Sequence, residues 1–81
     1  IVRREDGSWL VDGQLDTDEL KSLLAVAQLP DAATYQTLGG FLVTRLGRLP
    51  RVGDIVDWGG YRFEIVDMDG NRVDKVLIRP A

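Results

Sequence analysis

The hydrophobic period of this chain turns from helical to strand-like at Pro50. Before it, Leu20, Leu23, Leu24 and Ala27 fall at i, i+3, i+4 and i+7, and Leu38, Phe41, Leu42, Leu46 and Leu49 recur at helical spacing further on. After it, Tyr61, Phe63 and Ile65 alternate with Arg62 and Glu64, the period of a strand with one solvated face. Helices grouped ahead of a run of hairpins predict an α+β domain, with both helices packed on one face of a mainly antiparallel sheet of about four strands. At 81 residues the chain has room for one core, so residues 1–81 read as a single domain. Its stability should be a modest ~5 to 8 kcal/mol.

Turn and cap residues set the predicted boundaries. Trp9, Leu10 and Val11 lie between Asp6-Gly7 and Asp12-Gly13, which bounds a strand at residues 8–12. Asp16 with Glu19 forms a capping box, flanked by Leu15 and Leu20 at the positions of a hydrophobic staple. A helix is expected over residues 17–27, ended by Pro30. Thr37 caps a second helix that stops at Gly47, and residues 31–36 connect the two. Gly39 and Gly40 in its first turn call for close packing or an anion, with packing the preferred reason.

Beyond Pro50, residues 55–58 extend, and Gly59-Gly60 allows a tight hairpin. Val66 and Met68 are apolar where polar residues are due, which signals a bulge or a strand covered on both faces. Asp69-Gly70-Asn71 turns the chain into a last strand over residues 73–78. Leu20, Leu24, Leu42, Leu46, Phe63 and Ile65 are the expected shared core.

Composition removes much of chemistry. Without Cys there is no disulfide, Cys-ligated zinc or thiol nucleophile; without His the commonest general base and metal ligand are gone. No nucleophile stands beside a recognisable base, so no catalytic residue is assigned and the chain reads as a non-enzyme. A net charge of −3 argues against nucleic acid as partner. The longest apolar runs fall far short of the ~20 residues that span a bilayer, so direct membrane insertion is not expected. Ile1 in place of Met suggests a piece of a longer protein.

Asp67 and Asp69 are the weak metal candidates, two apart on a strand with Asp74 across the turn. The segment resembles a calcium loop only superficially, since aligning Gly70 with the loop glycine puts Ile65 and Val76 at ligand positions. A solvated hairpin tip is the competing reading, and a weak Ca²⁺ or Mg²⁺ site the functional one. Arg45, Arg48 and Arg51 fit either an acidic partner, phosphate or lipid head groups, or the negative end of the helix dipole, with the dipole favoured. Trp9 and Trp58 read as core or interface anchors, Trp58 being a candidate anchor for contact with a neighbouring domain or a second copy.

Taken in order, Asp6 to Gly13, Asp16 to Leu24, Tyr35 to Gly40, Leu46 to Pro50, Val52-Gly53-Asp54 and Tyr61 to Glu64 resemble the CorC/HlyC transporter-associated domain over nearly the whole chain. The resemblance implies a C-terminal module of bacterial membrane proteins described as hemolysins or magnesium and cobalt efflux proteins. It would follow a transmembrane region and a CBS pair, its partners, on the cytoplasmic side of the inner membrane. The implied function is regulatory or accessory to ion transport, through domain contacts or self-association. The implied fold is similar to part of certain FAD-binding domains, so a small-ligand module for FAD or an adenine nucleotide is the alternative. The residues argue against flavin as a required cofactor: no His or Cys is present to attach it, and about 80 residues enclose little of so large a ligand.

Overall fold

A computed structural model describes all residues, 1–81. Its elements are β1 (Val2–Arg3), β2 (Trp9–Asp12), α1 (Thr17–Leu24), a 3₁₀ turn (Ala32–Thr34), α2 (Leu38–Leu46), β3 (Ile55–Trp58), β4 (Tyr61–Asp69) and β5 (Arg72–Pro80). The strands form one antiparallel sheet in the order β1-β2-β5-β4-β3. The α+β class and the helix-on-sheet layering match the expectation. The strand count does not: there are five strands, because β1 adds Val2 opposite Leu10 and Arg3 opposite Trp9. Two exposed residues carry no period to read, and only their pairing makes them a strand.

Both helices start at their predicted caps, but the capping box of α1 is only half formed: no hydrogen bond joins the Asp16 amide to the Glu19 carboxylate, which is exposed. The Asp16 carboxylate accepts from the amides of Asp18 at 2.6 Å and Glu19 at 3.4 Å, and the Thr37 hydroxyl accepts from the Gly40 amide at 3.1 Å. The two caps are tied together, since Thr17 N–H donates to the Gln36 carbonyl and Leu38 N–H to that of Leu15. Helix α1 ends three residues earlier than expected, at Leu24, well ahead of Pro30. Ala25 takes a left-handed conformation with φ 57°, its amide and that of Val26 returning to the carbonyls of Ser22 and Lys21. Ala27 is exposed, and Leu29 and Tyr35 turn back into the core in its place. Helix α2 ends at Gly47 as predicted, which leaves Leu49 beyond the helix and 67% exposed.

The core lies between the helices and one sheet face. Leu20, Leu24, Leu42, Phe63 and Ile65 are buried there, as expected, and Leu46 packs at its margin. Phe41, fully buried, sits at the centre, with ring centroids 5.4 Å from Phe63, 5.7 Å from Trp58 and 5.7 Å from Tyr35. Edge-on and tilted contacts of this kind add to burial because ring edges are positive and faces negative. The slip in the β4 pattern is a bulge: Ile65 pairs with Val76 and Asp67 with Lys75, leaving Val66 as the extra residue. A second shift follows at once, where Met68 pairs with Val73 and Asp74 is left over on β5.

Candidate functional site

Two places in the fold gather polar groups: a cleft at the start of α2 and the β4–β5 hairpin beside it. The cleft, about 230 Å³, is lined by Gln14, Thr37, Gly39, Gly40, Val43, Asn71, Arg72 and Val73. A helix N-terminus beside an arginine suggests an anion seat. The backbone accounting removes it. The amides of Leu38, Gly39, Gly40 and Phe41 donate to the Leu15 carbonyl, the Gly13 carbonyl, the Thr37 hydroxyl and the Thr37 carbonyl. The three first-turn amides without an intrahelical partner, those of Leu38, Gly39 and Gly40, are thus taken, and that of Phe41 makes the helix's first i→i−4 bond.

The glycines there answer to packing. A Cβ at Gly13 would lie 2.1 Å from the Val73 carbonyl oxygen, one at Gly39 3.1 Å from the Gly13 oxygen, and one at Gly40 2.8 Å from the Tyr35 Cβ. The loop before α1, the start of α2 and strand β5 meet backbone to backbone at this point. Of the two reasons weighed for Gly39 and Gly40, close packing is the one the structure shows.

On the hairpin, Asp67 and Asp69 are both exposed, with Met68 between them packed toward the core. Lys75 lies opposite Asp67, and Arg72 lies opposite Asp69 and approaches it to 3.9 Å. Asp74 lies 3.6 Å from Lys75. No group of three or more carboxylates comes together as a cation cage. The hairpin thus offers a cation single carboxylates that already have basic neighbours.

Of the arginine series, Arg48 has a structural use that spacing did not disclose. Arg48 clasps Asp54 with two hydrogen bonds, 3.0 and 2.7 Å, and reaches the Leu49 carbonyl, while the Arg51 amide donates to the same carboxylate at 2.8 Å. This clasp closes the loop between α2 and β3. It holds the Asp54 carboxyl below the usual carboxylate range, the Arg48 side chain being the main cause and the Arg51 amide the next. Arg62 does the same for Asp57 across the hairpin, at 2.8 Å. A bidentate pair six residues apart is visible only once the loop has closed. Of the two roles weighed for Trp58, the core one is what the structure shows: it is half-buried against Phe41 and turns inward, and the exposed apolar side chain of β3 is Ile55.

No helix is long and apolar enough to cross a membrane. Among known proteins, the family model of the transporter associated domain CorC_HlyC matches residues 2–81. The chain is 40% identical over 78 residues to the polyamine export protein of Salmonella typhimurium, covering 96% of this chain and 17% of that protein. It is 36% identical over 78 residues to hemolysin C of Brachyspira hyodysenteriae, covering 96% and 29%. It thus spans less than a third of the length of either relative. Among solved structures, the CorC_HlyC domain of a Xylella fastidiosa Temecula1 hemolysin in complex with Mg²⁺ and Mn²⁺ shares 45% identity with a TM-score of 0.85, covering 99% of this chain and 95% of that one. The corresponding domain from Nitrosomonas europaea shares 31% identity with a TM-score of 0.88, covering 99% and 94%. A family match from the second residue to the last, on the same fold, makes this chain a member of the CorC_HlyC transporter-associated domain family.

Proposed function

We propose that the chain is a non-catalytic accessory and regulatory domain of a bacterial membrane ion transporter, working through contacts with neighbouring domains on the cytoplasmic side. The observation that carries this reading is the family match over residues 2–81 combined with relatives several times longer, which include an export protein and a hemolysin. Its parent would supply the transmembrane region and the CBS pair. The domain would bias transport by favouring one arrangement of those parts over another, which requires contacts that differ between the two states.

The test is to reconstitute the parent in liposomes with and without residues 1–81. Altered ion flux, or altered dependence of flux on ions or nucleotides, with the membrane part still folded, is the expected result. Unchanged flux under every condition would make the domain a passive appendage.

Divalent cations enter the proposal as weak effectors at Asp67 or Asp69. Support comes from the Xylella relative, solved with Mg²⁺ and Mn²⁺. The flavin or nucleotide alternative has less behind it. The α2 cleft falls below the ~300 Å³ at which small-molecule pockets begin. The other hollow is bounded only by Arg4, Glu5 and Asp6.

A further inference from the structure

The face of the sheet turned away from the helices carries a row of side chains that register, and only register, assembles. Val2 pairs with Leu10, Leu10 with Leu77, Leu77 with Glu64 and Glu64 with Ile55, so one row crosses all five strands. These residues alternate with Val11, Val76, Ile78, Phe63, Ile65 and Val56, which face the core, and so they point outward. Val2 is 60% and Ile55 48% exposed, and Leu10 and Leu77 are half-buried. Four of the five are apolar.

The rows on either side are charged and largely neutralise themselves. Arg62 pairs with Asp57 on one side, with Arg79 next to it; Lys75 lies 3.6 Å from Asp12 on the other, with Asp67 across from it. Glu64 differs. It is half-buried within the apolar row and forms no ion pair: its diagonal neighbours Arg79 and Lys75, and Arg62 two residues before it on the same face, all stay beyond pairing distance.

We propose that this outer face is the docking surface for an amphipathic helix of the parent protein, with apolar residues on Val2, Leu10, Leu77 and Ile55 and a lysine or arginine on Glu64. The spacing fits a helix laid along the row. Strands about 4.8 Å apart place the five side chains along ~19 Å, close to the ~5.4 Å per turn at which a helix repeats an apolar side chain. About 13 helical residues would cover it. Charge selects the occupant: an unpaired carboxylate inside an apolar stripe is stabilised by a cation brought in by the partner. A second copy with its two-fold axis parallel to the row would set Glu64 against Glu64, and one with the axis across the row through Leu77 would set Glu64 against Leu10, so neither brings it a cation. The inference rests on the reading that the chain is one module of a longer transporter and names the surface through which it is held.

Cysteine accessibility tests it, because the chain has no native cysteine. Leu77→Cys is introduced into the isolated chain and into the parent, and the rate of maleimide labelling is measured in each. Asp18→Cys on α1, whose side chain is 85% exposed, is the control. Cys at position 77 should label at least tenfold more slowly in the parent, with the control unchanged, and Glu64→Lys in the parent should restore most of the lost rate. Leu10→Cys repeats the measurement if Leu77→Cys fails to fold. Equal rates in chain and parent would overturn the proposal, as would shielding that Glu64→Lys leaves intact. Shielding in the isolated chain that grows with concentration would overturn it in favour of a second copy. Flux is measured separately, so an uncovered face and an absent regulatory role give different results.

Discussion

The Tyr61 hydroxyl donates a hydrogen bond to the Leu24 carbonyl at 3.2 Å, so a residue of β4 closes the end of α1 across 37 positions of sequence. The last carbonyls of a helix have no partner within it. Here one of them is satisfied by the sheet that the helix packs against, and the same tyrosine ring lies 6.1 Å from Trp9.

Tyr61→Phe removes that hydrogen bond and little else. It should cost about 1 kcal/mol, the usual net value of a partly buried hydrogen bond, seen as a shift in the urea midpoint at constant m-value. A loss of less than a few tenths would mean that water replaces the hydroxyl without penalty.

Ala25 holds a left-handed conformation in which a Cβ crowds the following carbonyl. Ala25→Gly should therefore stabilise the domain, by roughly 0.5 to 1 kcal/mol after the extra freedom of glycine in the unfolded chain is subtracted. A lower melting temperature in calorimetry would contradict this.

At Gly13 an added methyl would reach to 2.1 Å of the Val73 carbonyl oxygen, and the nearest atoms are backbone that cannot swing aside. Gly13→Ala should cost about 3 kcal/mol, at the upper end for overpacking. Gly39→Ala, with contacts of 3.1 and 3.3 Å, should cost less. If Gly13→Ala melts with the wild type, the loop has another seat.

Leu24→Ala empties a core position that is 2% exposed and should cost ~2 to 5 kcal/mol, a large share of the stability of a domain this size. An unchanged thermal midpoint would mean that this helix face does not pack as described.

Four carboxyls define the acid limb of stability. Asp6 is held down by the Ser8 hydroxyl and amide, Asp12 by the Gln14 amide, Asp54 by Arg48 and Asp57 by Arg62. Their folded values lie below the unfolded ones, so their contribution is complete above about pH 4 and is lost as pH falls through the folded values. Tyr35 carries the opposite sign. Burial raises its phenol, so its contribution is complete below about pH 10 and is lost as pH rises through the folded value. Urea midpoints should be flat between these limits, and Asp54→Asn should flatten the acid limb. An acid limb with the wild-type slope in that variant would remove the Arg48 clasp from the account.

The elements with strong local chemistry were legible from the chain. Both helix starts sit where a side-chain oxygen can take the first free amides, and the second helix stops where a glycine accepts the left-handed turn. The long strands follow from alternation, and the Val66 bulge from the place where alternation breaks. The end of α1 was not legible, because its stop is an alanine and what makes Leu24 the last helical residue lies in Tyr61 and in the return of Leu29 to the core. Nor was β1, two residues that are a strand only through their neighbour.

The candidate sites divide along the same line. Asp67 and Asp69 could be named from spacing, whereas the basic residues opposite them depend on where two register shifts place Lys75 and Arg72. Residue type and period determine which side chains leave water and which backbone segments can begin or end, since those are local preferences. Pairing register belongs to the tertiary structure alone, because it joins residues such as Val2, Leu77 and Ile55 that no local interaction relates. It is register that sets an unpaired Glu64 among apolar side chains on the open face of the sheet.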